Sequence, residues 1–267
     1  MEICLIGCGK MGSALLAGWQ QDTQLDATFT VIDPALNAVT AHPSTQYFHQ
    51  LSDLTKNYHP QLVILAVKPQ LMGSVLANLS NLGDETTCFL SIAAGLSTAR
   101  LAAQLGRPAL WLRVMPNTPA AIGQGISVLY AGPDVPVEMI SLSHQLLGVV
   151  GDVVDLADEA LMNAVTALSG SGPAYVFLLA EVMAAAGEKL GLPANLSMHL
   201  ARQTVSGAGA LMAAYPDTQA GQLRRNVTSE GGTTAAALSV LQEDNGVQTV
   251  FDRALRAACE RGAELDN

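Results

Sequence analysis

The chain has 267 residues, with 23 acidic and 13 basic side chains, a formal net charge of −10 at pH 7 and a pI near 4.8. No run of Lys or Arg could follow a phosphate backbone or an anionic bilayer, so nucleic acid and membrane surfaces are not expected partners. Apolar stretches such as Ala174–Ala180 are cut by Glu181, short of the about 18 uninterrupted apolar residues of a membrane span.

The chain begins directly on a strand pattern, Met1-Glu2-Ile3-Cys4-Leu5-Ile6, with no room for a signal peptide, and a cytoplasmic location is expected. Further runs of β-branched and other apolar residues follow at Phe29–Ile32, Leu62–Val67, Cys88–Ala93 and Leu110–Met115. Runs apolar on both faces and separated by helix-length segments predict a doubly wound parallel sheet, an α/β fold of Rossmann type. Ile126–Tyr130 and Gly151–Leu156, on either side of a helix around Val137–Leu147, should complete the sheet. After Leu156 the strand pattern stops and helical patterns continue almost to the end. The expected domains are therefore residues 1–157, dinucleotide-binding, and residues 158–267, all-α.

Between Asp158 and Gln222 only seven side chains are charged: Asp158, Glu159, Glu181, Glu188, Lys189, Arg202 and Asp217. Helices this apolar need a cover larger than their own short domain, and a second copy of the chain is the simplest one. Ala- and Gly-rich stretches such as Ala184–Gly187 and Gly207–Ala210 let helix axes approach closely. The cysteines, Cys4, Cys8, Cys88 and Cys259, have no metal-ligand spacing and read as reduced and buried, so no metal is expected. The five histidines lie outside the motifs below.

Gly7-Cys8-Gly9-Lys10-Met11-Gly12 follows the first strand and opens an apolar-periodic helix. The first two glycines permit a tight turn and close approach of a pyrophosphate, the third permits close helix–strand packing, and the helix end offers free N–H groups. Asp33 ends the second strand about 20 residues beyond the glycine motif, where a carboxylate accepts hydrogen bonds from ribose hydroxyls; Asp33-Pro34 reads equally well as a turn. Ala66-Val67-Lys68-Pro69 and Ala93-Ala94-Gly95 end two more strands, with Lys68 facing a phosphate or capping a solvated strand end. Asn226 to Thr234, with Ser229, Gly231, Gly232 and Thr233, leads into an Ala-rich helix. It is either a neutral cradle for a carboxylate or an ordinary helix cap.

With these segments, together with Met115-Pro116-Asn117-Thr118-Pro119 and Ala167-Leu168-Ser169-Gly170-Ser171-Gly172-Pro173-Ala174-Tyr175, the chain resembles pyrroline-5-carboxylate reductases over nearly its whole length. The resemblance implies hydride transfer from NADPH or NADH to the C=N bond of 1-pyrroline-5-carboxylate, giving L-proline. It also implies an all-α domain that interlocks with a second subunit, and a homodimer that assembles further, as a decamer of five dimers. Cofactor contacts carry over to Ile6, Gly7, Cys8, Gly9, Lys10 and Met11, to Val67 and Lys68, and to Ala94 and Asn226, while Gly12, Asp33, Ala66 and Pro69 join them by their own motif and strand-end positions. Substrate contacts carry over to Glu159, Ser229, Gly231, Gly232, Thr233 and Thr234, with the Thr234 hydroxyl on the ring nitrogen. Two positions depart from the family pattern. Relatives commonly carry Ser where this chain has Asp33, and Pro where it has Glu230. A β-hydroxyacid dehydrogenase would need a catalytic Lys in the helical part, where Lys189 beside a Gly-Leu-Pro turn is the lone candidate.

Overall fold

The computed structural model describes residues 1–23, 25–36, 41–55, 58–80 and 82–266. Eight strands form one sheet: β1 (Glu2–Ile6), β2 (Thr28–Ile32), β3 (Thr45–Phe48), β4 (Leu62–Leu65), β5 (Cys88–Ser91), β6 (Leu110–Met115), β7 (Gly125–Ala131) and β8 (Gly151–Asp155). Their spatial order is β3-β2-β1-β4-β5-β6-β7-β8, so the chain reverses direction across the sheet after β3. All neighbours pair in parallel except β6 and β7, which are antiparallel.

The parallel-dominated sheet is the expected Rossmann type, and the β6–β7 pair is the antiparallel exception within it. Between β6 and β7 lies only a short turn of 3₁₀ helix, Thr118–Ile122, too little chain for a parallel crossover. β3 has no counterpart among the expected strands; at four residues, Thr-Gln-Tyr-Phe, it is too short and too mixed to show a period. β4 and β5 also stop earlier than expected, at Leu65 and Ser91. Ala66–Lys68 and Ile92–Gly95 therefore lie in loops at the carboxyl edge of the sheet, with Pro69 opening a 3₁₀ turn, although their apolar residues continue the strand pattern.

Strand alternation divides the core between the two faces. Ile3, Leu5, Val31, Ile64 and Leu90 pack with Leu15, Leu16 and Trp19 of α1 (Lys10–Gln21) and with Leu142, Leu146 and Leu147, which belong to the helix Val137–Gly148. On the other face Cys4, Ile6, Val63, Leu65 and Phe89 pack with Met72, Leu76 and Leu79 of α2 (Met72–Leu79) and Leu101 and Leu105 of α3 (Thr98–Leu105). The helix Val137–Gly148 is α4. Trp19 stacks on Phe29 at 5.3 Å and donates its indole N–H to the Leu146 carbonyl at 2.8 Å, joining α1, sheet and α4. Cys4 and Cys88 are buried, whereas Cys8 and Cys259 are partly exposed and so depart from the expectation of buried thiols.

By contacts the chain divides into Met1–Ser171 with Ala258–Asn267, and Gly172–Ala257. The first unit thus runs past the residue-157 boundary, because α5 (Met162–Val165) and the π-helical turn Thr166–Gly170 that follows pack with it: a Cβ on Gly170 would stand 3.0 Å from the Met115 sulfur. The second unit holds α6 (Gly172–Lys189), α7 (Ala194–Ala214), α8 (Ala220–Asn226), α9 (Thr233–Leu241) and the first part of α10 (Val247–Leu265). α6 and α7 approach closely where Gly187 faces Ser197, whose hydroxyl donates to the Ala184 carbonyl at 2.6 Å. Among its described residues only Ala184, Ser197 and Ala201 are buried. Phe177, Leu178 and Leu190 are 63%, 56% and 86% exposed. The helical stretch Glu159–Lys189, which contains 18 consecutive residues with a mean hydropathy of 1.3, is long and apolar enough by length and composition to cross a bilayer. The sequence criterion of uninterrupted apolar residues passes over it because Glu181 and Glu188 break the run.

Candidate active site

The carboxyl ends of β1, β2, β4 and β5 bring Ile6–Gly12, Asp33, Ala66–Pro69 and Ala94 to one edge of the first unit. Gly7 has φ +94°, and a Cβ there would stand 2.7 Å from the Ala66 carbonyl oxygen. Only glycine makes that turn against β4. A Cβ on Gly12 would collide with the Gly7 carbonyl oxygen, so the missing side chain lets α1 seat against the loop that precedes it. Gly9 is different: nothing lies within 4 Å of a Cβ built there. It is the N-cap of α1 and provides no side-chain cap, so the first N–H groups of the helix face open space. A glycine turn that crowds the backbone at its first and third positions and leaves the second open fits a pyrophosphate held by N–H groups and the helix dipole.

Asp33 is tied into the same loop. Its Oδ2 accepts the Cys8 N–H at 2.6 Å and its Oδ1 accepts the Ala35 N–H at 2.8 Å. Asp33 is thus a turn-former whose carboxylate also binds the glycine loop. Burial, and then the negative charge of Asp33, raise the pKa of the Cys8 thiol, which makes it a poor nucleophile at neutral pH. Lys68 is the N-cap residue of the short 3₁₀ turn Pro69–Leu71, its exposed side chain taking no part in the cap, and Val67 lies against Gly7.

In the second unit Asn226 ends α8, Ser229, Gly231 and Gly232 lie in the connection, and Thr233 and Thr234 open α9. The Gln222 amide donates to Asn226 Oδ1 at 2.7 Å, and Gly232 N–H donates to the Ser229 carbonyl at 3.1 Å. Gly232 is the N-cap of α9 without a side-chain cap, leaving the N–H groups of its first turn available beside the Thr233 and Thr234 hydroxyls. Gly231 has φ +66° and Glu230 is exposed.

Glu159 belongs to the first unit. Its Oε1 accepts the Thr98 N–H at 2.8 Å and pairs with Arg113 at 3.0 Å, and its Oε2 accepts the Thr98 hydroxyl at 2.6 Å. Arg113 is 3% exposed in the middle of β6. Sequence reasoning passed over Arg113 and Thr98, since one Arg inside an apolar strand gives no periodic signal. It also gave no role to Asn117, whose Oδ1 accepts the Ile126 N–H at 3.0 Å and whose amide faces the Ser169 carbonyl at 3.4 Å. The buried Ser169 hydroxyl has no hydrogen-bond partner among the described residues and sits in the π-helical turn, a distortion frequent at functional sites. The Ser-Gly-Ser-Gly-Pro run was the available signal for it.

Residues 159–265 match the family model described as pyrroline-5-carboxylate reductase dimerisation, and residues 2–95 match that of NADP oxidoreductase coenzyme F420-dependent. A pyrroline-5-carboxylate reductase of Pseudomonas aeruginosa is 40% identical, covering 99% of this chain and 96% of that protein. One of Pisum sativum is 38% identical, covering 97% and 94%. Among solved structures, a pyrroline-5-carboxylate reductase of Coxiella burnetii superposes with a TM-score of 0.85 at 31% identity, covering 99% of this chain and 98% of that one. The Plasmodium falciparum pyrroline carboxylate reductase with NADP bound gives a TM-score of 0.84 at 29% identity, covering 100% and 98%.

Proposed function

The chain belongs to the pyrroline-5-carboxylate reductase family, and from that premise we propose how its own residues divide the work. The reaction is NAD(P)H-dependent reduction of the C=N bond of 1-pyrroline-5-carboxylate to L-proline. When bound, the nicotinamide supplies the hydride. Ile6–Gly12 hold the pyrophosphate on loop and α1 N–H groups, Asp33 faces the adenosine ribose, and Ala66–Pro69 and Ala94 leave room for the rest of the cofactor, with Asn226 contributing from the helical domain. The observation that carries this assignment is the open space at Gly9 over an uncapped helix end, between two glycines that tolerate no side chain.

The α9 turn, from Ser229 to Thr234, receives the substrate. The N–H groups around Thr233 bind its carboxylate, and the Thr234 hydroxyl hydrogen-bonds the ring nitrogen, drawing electron density from the carbon that accepts hydride. No covalent intermediate is needed, so alignment supplies most of the acceleration. Glu159, read from the sequence as a substrate contact, also holds Thr98 and Arg113 with its carboxylate, and carboxylate binding stays with the N–H groups near Thr233 and Thr234. Residues 158–267 serve as the dimerisation and substrate domain, a reading supported by the match over 159–265. The homodimer covers the apolar faces of α6 and α7, which also explains the apolar Glu159–Lys189 stretch without a bilayer. Assembly of five dimers and a cytoplasmic location belong to the same reading.

Loss of NADPH or NADH absorbance at 340 nm with 1-pyrroline-5-carboxylate tests the assignment, with Thr234→Ala as the decisive variant. It removes the hydroxyl but keeps the backbone cradle, so kcat should fall by roughly 10- to 1,000-fold while cofactor binding and dimerisation persist. Thr234→Ser should recover much of the rate. A near-normal kcat in the Ala variant would return Thr234 to an ordinary helix position.

A further inference from the structure

Two carboxylates distant in sequence meet at the N-terminus of α3. The Ser97 N–H donates to Asp266 Oδ1 at 2.8 Å, and the Thr98 N–H and hydroxyl donate to Glu159 at 2.8 and 2.6 Å. An arginine from the same unit joins each residue, at the Glu159 carboxylate and at the Asp266 backbone carbonyl. Arg113 pairs with Glu159 at 3.0 Å, and Arg100 donates to the Asp266 carbonyl at 2.5 Å. The α3 helix already has a local cap, since the Ser97 hydroxyl accepts the Arg100 N–H at 3.2 Å. Stability of α3 therefore does not require partners 61 and 169 residues away.

What the two carboxylates add is a fixed place for the loop that enters α3. That loop runs from Ile92 to Ser97, directly after β5, and contains Ala94. Its Gly95 has φ +75°, and a Cβ there would stand 2.6 Å from Leu265 Cβ and 3.0 Å from the Gly262 carbonyl oxygen. Gly262 in turn packs on Asn163, with a Cβ position 2.9 Å from Asn163 Oδ1. The last turns of α10 thus press on the loop from one side, and Asp266 and Glu159 hold its far end. Glu159 and Leu265 are also the first and last residues of the segment that matches the dimerisation domain.

We propose that Glu159 and Asp266 are positioning residues for the cofactor-side loop Ile92–Ser97, tying both ends of the dimerisation segment to the strand end that faces the nicotinamide. The proposal rests on the reading that Ala94 adjoins the cofactor. The α3 N-terminus is filled by protein carboxylates, so these residues act through the loop and touch neither substrate nor cofactor.

The test uses the full chain in three forms: Asp266→Asn with Leu265→Ala, Glu159→Gln, and Ala94→Leu. Cofactor Kd is read from NADPH fluorescence, KM for each substrate from the 340 nm assay, and assembly by sedimentation. The double variant and Glu159→Gln should each weaken cofactor binding roughly tenfold, with an unchanged dimer and an unchanged KM for the imine substrate. Asp266→Glu in place of Asp266→Asn should restore part of the loss. Folded dimers with wild-type cofactor Kd would overturn the proposal, as would a Glu159→Gln effect confined to KM for the imine substrate. Should Glu159→Gln fail to fold around the buried Arg113, the Asp266 and Leu265 double variant decides. Normal cofactor binding by Ala94→Leu would instead overturn the reading of the site itself.

Discussion

At the scale of single residues, Asp33 shows how one side chain serves a turn and a site together. Its oxygens accept N–H groups from Cys8 and Ala35, which fixes a negative charge beside the glycine loop. A carboxylate accepts hydrogen bonds from ribose hydroxyls but repels a 2′-phosphate, at about 1 kcal/mol per unit-charge pair at 4 Å in water. Asp33→Ser should therefore shift the ratio of kcat/KM values toward NADPH by about fivefold or more. A ratio that stays put would leave Asp33 as a turn residue alone. Cys88 offers a pH test of the core. Burial in β5 pushes its thiol from an ordinary value of 9.0 to about 12. The folded pKa is raised, so the neutral thiol's contribution is complete below about pH 9 and lost as pH climbs from there toward about 12. Tm should decline above pH 9, and less steeply in Cys88→Val. Parallel slopes in wild type and variant would assign the alkaline loss to other groups.

At the scale of elements, α1 depends on Gly12 for its seat. Because a Cβ there would meet the Gly7 carbonyl, Gly12→Ala must push the helix off the loop, at a cost of about 1–3 kcal/mol by analogy with overpacked cores. Calorimetry should show the lower Tm, and titration should show weaker NADPH binding, since the pyrophosphate loop moves with the helix. Unchanged binding would mean that the loop and α1 are not mechanically joined. The glycine motif was legible in the sequence because its chemistry is local: a turn, an open approach and a close packing lie within six residues. β3 was not, because its pairing to β2 is a tertiary choice made by four residues without a period. The ends of β4 and β5 were misplaced for the opposite reason: Ala66, Val67, Ile92 and Ala93 are as apolar as a strand, yet the chain leaves the ladder there to form the site.

At the scale of the whole molecule, the exposed helices define the assembly. Phe177, 63% exposed on α6, is expected to lie in the homodimer interface. Phe177→Glu should shift sedimentation toward monomer and reduce activity, because burying an unpaired carboxylate costs more than the interface gains from that side chain. An active, fully dimeric Phe177→Glu protein would place the interface elsewhere. By itself the sequence determined the alternation of strands and helices, the cofactor motif, the charge-poor helices and the family, since each is written in local composition and spacing. Only the tertiary structure decided that β7 runs antiparallel, that Glu159 binds Thr98 and Arg113, and that Asp266 returns to α3. Those choices join residues tens to more than a hundred positions apart. A buried ion pair or a long-range cap forms only where packing brings two segments within hydrogen-bond reach, and no periodicity along the chain records which segments will meet.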